Sequence, residues 1–372
     1  AYYVGHFLFS LFLLFLILGT LRIIALAWLA LKQRKKEKQL LNQQTALAVY
    51  PKVSIIVPAY NEEVNIVATI MNLLQCDYPN FDVILVDDGS KDNTLLRVKE
   101  VFANSDQVTI ISKINGGKAS ALNEGIRCSN ADYLVCIDAD TKLKPDAVRM
   151  MMEHMLRDAS IGAVAGTVKV GNQVNLMTRW QHLEYVTSQN FDRKAFAVIN
   201  AITVVPGAIG AFRRTAIEEA GLFTTDTLAE DCDVTIRILR CGYIVANESR
   251  AIAYTEAPET VAQFMKQRVR WTFGVLQTIW KHKDIALGGS NKALSWIAIP
   301  DIIIFKYVIP AFTPLADVIA LLSLTAGVSS SDNQMLDYYL LFLLVDTGIA
   351  AFAFLLEGEK LYQLILLIPQ RL

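Results

Sequence analysis

A long apolar run near the amino terminus constrains this chain more than any other feature. Residues 7–31 read FLFSLFLLFLILGTLRIIALAWLAL, and Arg22 is the single charged residue within them. About 20 apolar residues in a helix are enough to cross a bilayer. The run is too long for a signal peptide, and no small-residue cleavage site follows it. We therefore predict an N-terminal transmembrane helix over residues 1–31.

A basic segment follows this run directly. Residues 32–38 read KQRKKEK, with five cations and one acid. Because positive charge concentrates on the cytoplasmic side of membrane helices, the first helix is expected to run from outside to inside. We predict a basic cytoplasmic linker over residues 32–51.

Apolar segments return at the carboxyl-terminal end, over residues 300–372. Residues 336–356 predict another span, in which Asp346 would face a protein or water-filled interior because a carboxylate is costly in lipid. A last apolar run starts at Leu361. Since the chain begins at Ala1 without a methionine and ends inside this run, we expect it to be trimmed at both ends.

Residues 300–327 allow two interpretations. The charges and prolines indicate an interfacial helix that turns into a spanning one, or a helix that faces a wet interior. Alternatively, the helix spans the bilayer and its charges lie near the headgroups. The residues concerned are Asp301, Lys306, Pro310, Pro314 and Asp317. Either interpretation predicts a multi-pass protein of the inner or plasma membrane, in contact with the lipid bilayer.

Composition agrees with a membrane component and excludes other classes. Hydrophobic residues make up 53% of the chain, more than is usual for a soluble domain. The net charge of -1 gives no basic face for phosphates, so we expect no nucleic-acid partner. The five cysteines form no CxxC pair, which argues against a disulfide framework or a zinc site.

The middle of the chain has the pattern of an α/β domain. Three segments each begin as a buried strand and end in polar residues: KVSIIVPAYNEE, FDVILVDDGSKDNT and ADYLVCIDADTKL. Strands that alternate with helices predict a mostly parallel sheet with helices on both faces, which binds ligands at the carboxyl ends of its strands. We place this cytosolic domain at residues 52–259, followed by an amphipathic interfacial region at residues 260–299.

Two pairs of aspartates follow predicted strands. Asp138 and Asp140 are expected to end the third predicted strand, and because they are two residues apart they share one face of it. Carboxylates suit hard cations such as Mg²⁺ or Mn²⁺. An aspartate-rich surface turn is the alternative for this pair, and for Asp87 and Asp88 in VDDGS. If the two strands are neighbours in one sheet, both pairs converge on the same crevice.

Two further segments place charge at the start of a helix. NGGKASALNEG puts two glycines before Lys118, which indicates either an ordinary loop-to-helix junction or a phosphate contact. LAEDCDV places Glu230, Asp231 and Asp233 in a first helical turn. Simple capping explains one of these acids, and one carboxylate could act as a general base.

Near the predicted membrane entry, KQRVRWTFG combines cations and aromatic residues. On a helix Gln267, Arg270 and Trp271 share one face, because they are three and four residues apart. Arg268 points elsewhere, which suits a cation near lipid headgroups. The spacing therefore divides this stretch between a ligand-binding face and a surface anchor.

In this order, six motifs resemble the processive family-2 glycosyltransferases of the membrane, the cellulose, hyaluronan, chitin and poly-N-acetylglucosamine synthases. The matching segments are VPAYNEE (57–63), VDDGS (86–90), GGKASALN (116–123), DAD (138–140), AED (229–231) and QRVRW (267–271). One departure is Ala229, where many members have threonine. The resemblance implies a GT-A fold, a UDP-sugar donor and inverting transfer to a β-linked product.

The resemblance also implies roles for individual residues. The substrate-binding set begins with Ala59, Tyr60, Glu62 and Asp87, which would hold the uracil and ribose, and with Asp88 next to them. It also comprises Lys118 and Asp138 near the diphosphate, Gly207 in the acceptor loop VPGAIGAFRR, and Gln267, Arg268, Arg270 and Trp271 of QRVRW. Asp138 and Asp140 are the expected metal pair, with Asp140 the direct ligand of Mg²⁺ or Mn²⁺. Asp231 is the expected general base, with Glu230 beside it in the catalytic pair.

The motif variants most resemble the N-acetylglucosaminyl polymerases, which implies UDP-N-acetylglucosamine as donor and an exopolysaccharide of the biofilm type as product. A hyaluronan- or chitin-type synthase is an alternative, as is a non-processive transferase that adds one sugar to a membrane lipid. A non-catalytic protein that kept the fold is the third class. As partners we expect the donor, the growing polysaccharide, the bilayer, and either a small accessory membrane subunit or a second copy of the chain.

Overall fold

The protein is described by a computed structural model that covers residues 2–42, 49–288, 291–312, 314 and 333–367. An eight-stranded sheet with helices on both faces forms its centre. The strands are β1 (Val53–Ala59), β2 (Phe81–Asp87), β3 (Val108–Ser112), β4 (Tyr133–Cys136), β5 (Lys142–Leu143), β6 (Ile161–Val170), β7 (Gly210–Arg213) and β8 (Ile244–Thr255).

Helices connect and flank these strands. They are α1 (Tyr2–Asn42), α2 (Ile66–Leu73), α3 (Thr94–Phe102), α4 (Lys118–Cys128), α5 (Ala147–Arg157), α6 (Leu176–Glu184), α7 (Phe191–Ala197), α8 (Arg214–Glu219), α9 (Glu230–Arg240), α10 (Val261–Lys281), α11 (Ile299–Asp301) and α12 (Asn333–Glu357). Within the described ranges, π-helical turns lie at Tyr185–Asn190, Leu294–Ala298 and Ile302–Val308, and short 3-10 helices lie at Lys283–Leu287 and Leu361–Leu366.

Strand β1 shows why the sheet is buried on both sides. All seven of its residues are buried. Val53, Ile55 and Val57 pack into the core on one face of the sheet, whereas Ile56 packs into the core on the other. This alternation follows from the two-residue period of a strand, and a continuous apolar run is what a doubly covered strand requires.

The strand order is β3-β2-β1-β4-β7-β6-β8-β5, and the sheet is mixed. Strands β2, β1 and β4 are parallel, as the three strand-and-turn segments predict. Strand β3, which none of those segments contains, runs parallel to β2. Strand β7 runs antiparallel to both β4 and β6, and β5 runs antiparallel to β8. The prediction of a mostly parallel sheet is therefore correct for the first half and too simple for the second.

The two aspartate pairs do not follow neighbouring strands. Strand β1 lies between β2, which ends at Asp87, and β4, which ends at Cys136. Asp138 and Asp140 lie in the turn beyond β4, so strand alternation does not set their directions. Because these three strands are parallel, their carboxyl ends still meet at one edge, and the end of β1 is part of that edge.

Helix α1 continues without interruption into the segment predicted as a basic linker, as far as Asn42, and residues 43–48 of that segment lie outside the described residues. Its carboxyl-terminal half packs on the α/β domain: Leu26 and Ala30 are buried, and Glu37 accepts a hydrogen bond of 2.8 Å from the Ser249 hydroxyl. Arg22 pairs with Asp301 at 2.6 Å. The boundary predicted at residue 31 therefore falls inside one helix, which contains the apolar run and also packs on the α/β domain.

Two described helical segments are long and apolar enough to cross a membrane by length and composition, Leu13–Gln39 and Leu294–Phe312. The third predicted span corresponds to α12, in which Asp346 is half-buried. The run that begins at Leu361 forms a short 3-10 helix as far as Leu366. Asp317 lies outside the described residues.

Candidate active site

Lys118 is the central charge of a cleft at the carboxyl ends of β1, β2 and β4. Its ammonium lies 2.6 Å from Asp138 Oδ1 and 3.2 Å from Glu230 Oε1. Burial by itself lowers the pKa of Lys118, but the carboxylates of Asp138 and Glu230 outweigh it and raise that pKa well above the ordinary range. The lysine is therefore charged, and it joins the DAD and AED motifs.

The loop before Lys118 is held by Asp88. Its carboxylate accepts hydrogen bonds from the backbone N–H groups of Gly116 at 3.0 Å and Gly117 at 2.7 Å, and pairs with Lys113 at 2.7 Å. Gly117 has a φ of +84°, which favours glycine at this position. Asp88 was expected beside the substrate, but both of its carboxylate oxygens are engaged in shaping this loop.

Gly207 faces Lys118 from the loop before β7. A methyl group at Gly207 would lie 2.5 Å from Lys118 Nζ and 3.4 Å from Asp138 Oδ1. Such a distance to the nitrogen is too short for a carbon atom, so glycine is needed for the ion pair to form as observed. A small cavity under this point is lined by Pro58, Lys118, Leu122, Cys136, Ile137, Val205, Pro206, Gly207, Phe212, Phe223, Glu230 and Asp231.

Asp138 and Asp140 form the acidic side of the cleft. Asp140 accepts hydrogen bonds from the Thr141 hydroxyl at 3.2 Å and the Thr255 hydroxyl at 3.3 Å. Burial and the neighbouring Asp138 raise the pKa of Asp140 to about 6. The two neighbouring carboxylates thus repel each other, and a divalent cation, which prefers hard oxygen ligands, would relieve this repulsion.

The protein's own share of a metal site would be this pair alone. Within the described ranges, no group of three or more Asp, Glu, His or Cys side chains is arranged to hold a metal ion. Magnesium commonly takes one or two carboxylates and completes its shell with substrate phosphates and water. The donor set is therefore compatible with a metal that arrives with a diphosphate.

The residues expected to bind the nucleoside lie at the ends of β1 and β2 and just beyond them. The Ala59 carbonyl accepts a hydrogen bond of 2.9 Å from the Asp88 N–H, and Tyr60 beyond it is exposed. Asp87 is buried and accepts from the Ser112 hydroxyl at 3.3 Å. Burial, together with the charges of Asp140 and other acids, raises the pKa of Glu62 to about 7.

Asp231 begins α9 beside Glu230. Its Oδ1 accepts the Cys232 N–H at 2.8 Å. Burial and the charge of Glu230 raise the pKa of Asp231 to about 6, and Lys118 acts in the opposite direction. A carboxylate with a pKa just below neutrality is suited to accept a proton at physiological pH.

The QRVRW residues lie on α10, and the structure corrects the prediction for Arg268. Arg268 pairs with Glu184 at 2.5 Å and lies over the Trp271 ring, with its guanidinium carbon 4.7 Å from the ring centroid. It therefore fixes Trp271 instead of pointing to lipid headgroups. The spacing within QRVRW could not predict this contact, because Glu184 belongs to α6, which is distant in sequence.

The other residues of QRVRW differ in exposure. Trp271 is half-buried and lies 6.5 Å from Tyr185 between ring centroids. Gln267 is half-buried, and its side-chain oxygen has no hydrogen-bond partner in the described part of the chain. Arg270 is exposed and forms no ion pair with any described residue. Gln267 and Arg270 thus have polar groups left for a ligand.

Several residues of this site have no signal in the sequence. Glu184 and Tyr185 support Trp271 from the end of α6 and the π-helical turn that follows it. Glu256 contributes to the raised pKa of Glu62, which burial mainly causes. These residues belong to no motif and enter the cleft by long-range contacts alone.

A family model supports the assignment of this domain. Residues 54–221 match the model described as glycosyl transferase family 2. Asp231 and QRVRW lie beyond the matched residues. The match covers the β1, β2 and β4 ends, Lys118 and Gly207.

Two staphylococcal enzymes are similar to this chain in sequence. The chain is 31% identical over 242 residues to a poly-β-1,6-N-acetyl-D-glucosamine synthase of Staphylococcus epidermidis. The aligned residues make up 63% of this chain and 59% of that relative. It is 32% identical over 222 residues to the enzyme of the same name from Staphylococcus aureus strain COL, and here the aligned residues make up 60% of this chain and 54% of the relative. The chain thus spans little more than half the length of these relatives.

A solved structure shares the fold. A mannosyltransferase from Pyrobaculum calidifontis, in complex with GDP-Man and Mn²⁺, superposes with a TM-score of 0.64 at 21% identity, over 92% of this chain and 97% of that one. The predicted GT-A fold is confirmed by this likeness. In sequence, residues 54–221 of this chain are thus similar to the glycosyl transferases of family 2.

Proposed function

We propose that the protein is an inverting glycosyltransferase that polymerises N-acetylglucosamine from UDP-N-acetylglucosamine into a β-linked polysaccharide. The observation that carries this proposal is the contact of Lys118 with both Asp138 and Glu230. It brings the donor motif and the proposed catalytic pair to one point, where a sugar diphosphate and an acceptor hydroxyl could meet. The similarity to two poly-β-1,6-N-acetyl-D-glucosamine synthases supports the choice of sugar.

Donor binding is assigned to the edge formed by β1 and β2. Ala59, Tyr60, Glu62 and Asp87 surround the position proposed for uracil and ribose. Asp88 acts through the loop that it holds, and Lys118 then faces the diphosphate. A lysine at this position stabilises the negative charge that develops on UDP as the leaving group departs.

Asp138 and Asp140 are the residues that would hold Mg²⁺ or Mn²⁺, with Asp140 the closer ligand. When bound, the metal supplies charge to the departing diphosphate. The raised pKa of Asp140, which burial and Asp138 cause, fits a site that is completed by a cation. The presence of Mn²⁺ in the mannosyltransferase complex supports a divalent ion for this fold class.

Asp231 is the proposed general base. It takes the proton of the acceptor hydroxyl while the hydroxyl oxygen forms a bond to the anomeric carbon of the donor. The bond from that carbon to the diphosphate oxygen breaks, and UDP leaves with the electron pair. A single displacement of this kind inverts the anomeric carbon, so an α-linked donor gives a β-linked product.

Trp271 and Arg270 provide the acceptor side. The indole of Trp271 offers a flat surface on which the apolar face of a sugar ring can stack. Arg270 is exposed and can reach the diphosphate, and Gln267 shares the face of α10 that carries both residues. Growth of the chain beside α10, which lies in the region predicted to be interfacial (residues 260–299), would place the product next to its exit across the bilayer.

The membrane location is part of the proposal. Leu13–Gln39 and Leu294–Phe312 have the length and composition of spanning helices. The basic run after the first of them supports a cytoplasmic catalytic domain by the positive-inside rule. A multi-pass arrangement, and a small accessory membrane subunit or a second copy, belong to the same proposal.

A donor screen tests the proposal. Purified full chain in lipid is incubated with Mg²⁺ or Mn²⁺ and one of UDP-N-acetylglucosamine, UDP-glucose, UDP-glucuronate and GDP-mannose, and released nucleotide and polymer are measured. A further reaction contains UDP-N-acetylglucosamine and UDP-glucuronate together. We expect turnover and a polymer degraded by a β-N-acetylglucosaminidase with the first donor alone. Turnover only with GDP-mannose, or transfer of one sugar to a lipid, would favour the non-processive alternative, and a mixed polymer would indicate a hyaluronan-type synthase.

A further inference from the structure

Asp233 is a fully buried carboxylate next to the proposed base. It lies two residues after Asp231 in the first turn of α9, and its side chain has an exposure of 0%. Among the described residues, its hydrogen-bond and ion-pair partners are not residues of the cleft described above. A buried carboxylate is destabilising unless its charge is compensated, so its partners indicate what it does.

The partners of Asp233 come from two different elements. Within its own region, the Thr224 hydroxyl and Arg237 Nε each donate to Oδ2 at 2.8 Å. From the end of α10, His282 Nε2 and Lys281 Nζ each lie 2.9 Å from Oδ1. Burial acts to raise the pKa of Asp233, but the hydrogen bonds from His282 and Lys281 outweigh it and hold that pKa far below the ordinary value.

Two more contacts join the same helix to the segment before the base. A methyl group at Gly274 would lie 2.7 Å from the Ala229 nitrogen, so α10 packs directly on this backbone. One turn later, the Gln277 side-chain oxygen accepts the Leu228 N–H at 3.0 Å. Residues 274, 277 and 281 lie along one face of α10, because they are spaced by three and four residues.

Helix α10 also carries Trp271, three residues before Gly274. From Gly274 to its end, α10 is thus attached to residues 228–233. Trp271, which is proposed to stack on the acceptor sugar and is called the acceptor platform below, lies one turn before these contacts. We propose that Asp233 is a positioning residue, which anchors the helix of the base to the helix of the acceptor platform and so fixes the place of Asp231 relative to the acceptor hydroxyl. This inference rests on the proposed function.

A loss of this anchor should affect transfer and hydrolysis differently. The acceptor hydroxyl is held by the platform, so a displaced base no longer reaches it. Water is mobile and can follow the base, attack the anomeric carbon and release UDP without polymer growth. A merely structural role would lower both reactions together, because both need the same donor site.

The test compares Asp233→Asn with Asp226→Asn in the full chain. Asp226 pairs with the same Lys281 at 2.9 Å but is exposed and lies outside the cleft, so it controls for the loss of one ion pair. For Asp233→Asn we expect polymer transfer to fall by about 100-fold, since small displacements of reacting groups have effects of that size. Hydrolysis of the donor and affinity for UDP should change by less than about threefold, and Asp226→Asn should resemble the wild type.

Hydrogen exchange of residues 228–235 gives a readout that needs no activity. We expect faster exchange in Asp233→Asn and unchanged exchange in Asp226→Asn, because only the former releases α9 from α10. Unchanged exchange, or a parallel loss of transfer and hydrolysis, would overturn the inference. If the wild type transfers no sugar from any donor, the proposed function fails, and the exchange experiment still decides whether Asp233 is the anchor.

A milder variant covers the case in which Asp233→Asn does not fold. His282→Gln removes one of the four partners and retains a hydrogen-bonding side chain. It should lower the ratio of transfer to hydrolysis in the same direction, and the double variant should show less than the sum of the single effects in free energy. Fully additive effects would show that the two residues act independently and would contradict a shared anchor.

Discussion

The ammonium of Lys118 lies 2.6 Å from Asp138 Oδ1. This ion pair joins the GGKASALN and DAD motifs, between which the end of α4 and all of β4 lie in the sequence. The same ammonium reaches Glu230 at 3.2 Å. One cation therefore balances carboxylates from the donor motif and from the proposed catalytic pair. This arrangement makes the protonation of Asp231 depend on Lys118, which opposes the effects of burial and Glu230 on its pKa.

Substitution of Lys118 by methionine should move the pH dependence of transfer as well as its rate. Without the ammonium, the pKa of Asp231 rises above its value of about 6, because burial and Glu230 then act unopposed. The base is active when it is deprotonated, so the acidic limb of kcat/KM against pH should shift to higher pH. Lys99→Met, on the exposed side of α3, serves as the control, and an unshifted limb in Lys118→Met would contradict the coupling.

Substitution of Asp231 by asparagine should abolish transfer and leave UDP binding intact. Loss of a general base typically lowers the rate by about 100- to 10,000-fold. Calorimetric titration with UDP, which needs no base, should give an affinity close to that of the wild type. Full transfer activity in this variant would remove the assignment of Asp231 as the base.

The same variant should change the pH dependence of stability. Burial and Glu230 raise the pKa of Asp231 to about 6 in the folded protein, so its contribution to stability is present below about pH 4 and is lost as pH rises through 6. Asparagine does not ionise, so the variant does not lose this stability as pH rises. Relative to the wild type, the melting temperature of Asp231→Asn should therefore be higher at pH 7.5 than at pH 4, and a constant difference would contradict the raised pKa.

Substitution of Gly207 by alanine should damage catalysis more than stability. The new methyl group would lie 2.5 Å from Lys118 Nζ, and the flexible lysine can move away at small cost to folding. It then loses contact with Asp138, and transfer should fall by about 10- to 100-fold. Gly171→Ala is the matched control, because its methyl group would meet Tyr254 at an ordinary 3.4 Å. Equal effects of the two substitutions on turnover would count against the role of Gly207.

The local pattern of the sequence was sufficient to predict three of the four strands in the first half of the sheet. Strands β1, β2 and β4 end in polar residues, and the structure brings these ends to one edge. It could not predict that β1 separates the two aspartate pairs, because strand order depends on crossover connections. It also could not predict β7, whose antiparallel pairing with β4 and β6 is decided by long-range packing.

The roles of single charged residues were harder to predict than the motifs that contain them. Asp88 belongs to VDDGS, but whether its carboxylate faces a ligand or a loop depends on the N–H groups of Gly116 and Gly117, which lie 28 and 29 residues later. Arg268 belongs to QRVRW, but its partner Glu184 lies 84 residues earlier. Helical spacing gives the direction of a side chain and says nothing of what is packed there.

The contact of Arg268 with Glu184 changes what is expected of the two arginines of QRVRW. Arg268 is largely buried between Glu184 and the Trp271 ring, so Arg268→Ala should lower both the melting temperature and transfer, by loss of packing and of Trp271 orientation. Arg270 is exposed, so Arg270→Ala should lower transfer and leave the melting temperature unchanged. Thermal unfolding and turnover measured on both variants separate the two roles.

Glu184→Gln provides the matched test of this distinction. It keeps the size of the side chain and removes the charge that holds Arg268, so it should reproduce the behaviour of Arg268→Ala in a weaker form. In the double variant Glu184→Gln and Arg268→Ala, the losses should be less than additive, because the two residues contact each other. If Arg268→Ala left both stability and turnover unchanged while Arg270→Ala lowered turnover, Arg268 would be a surface cation after all, and its ion pair with Glu184 would not orient Trp271.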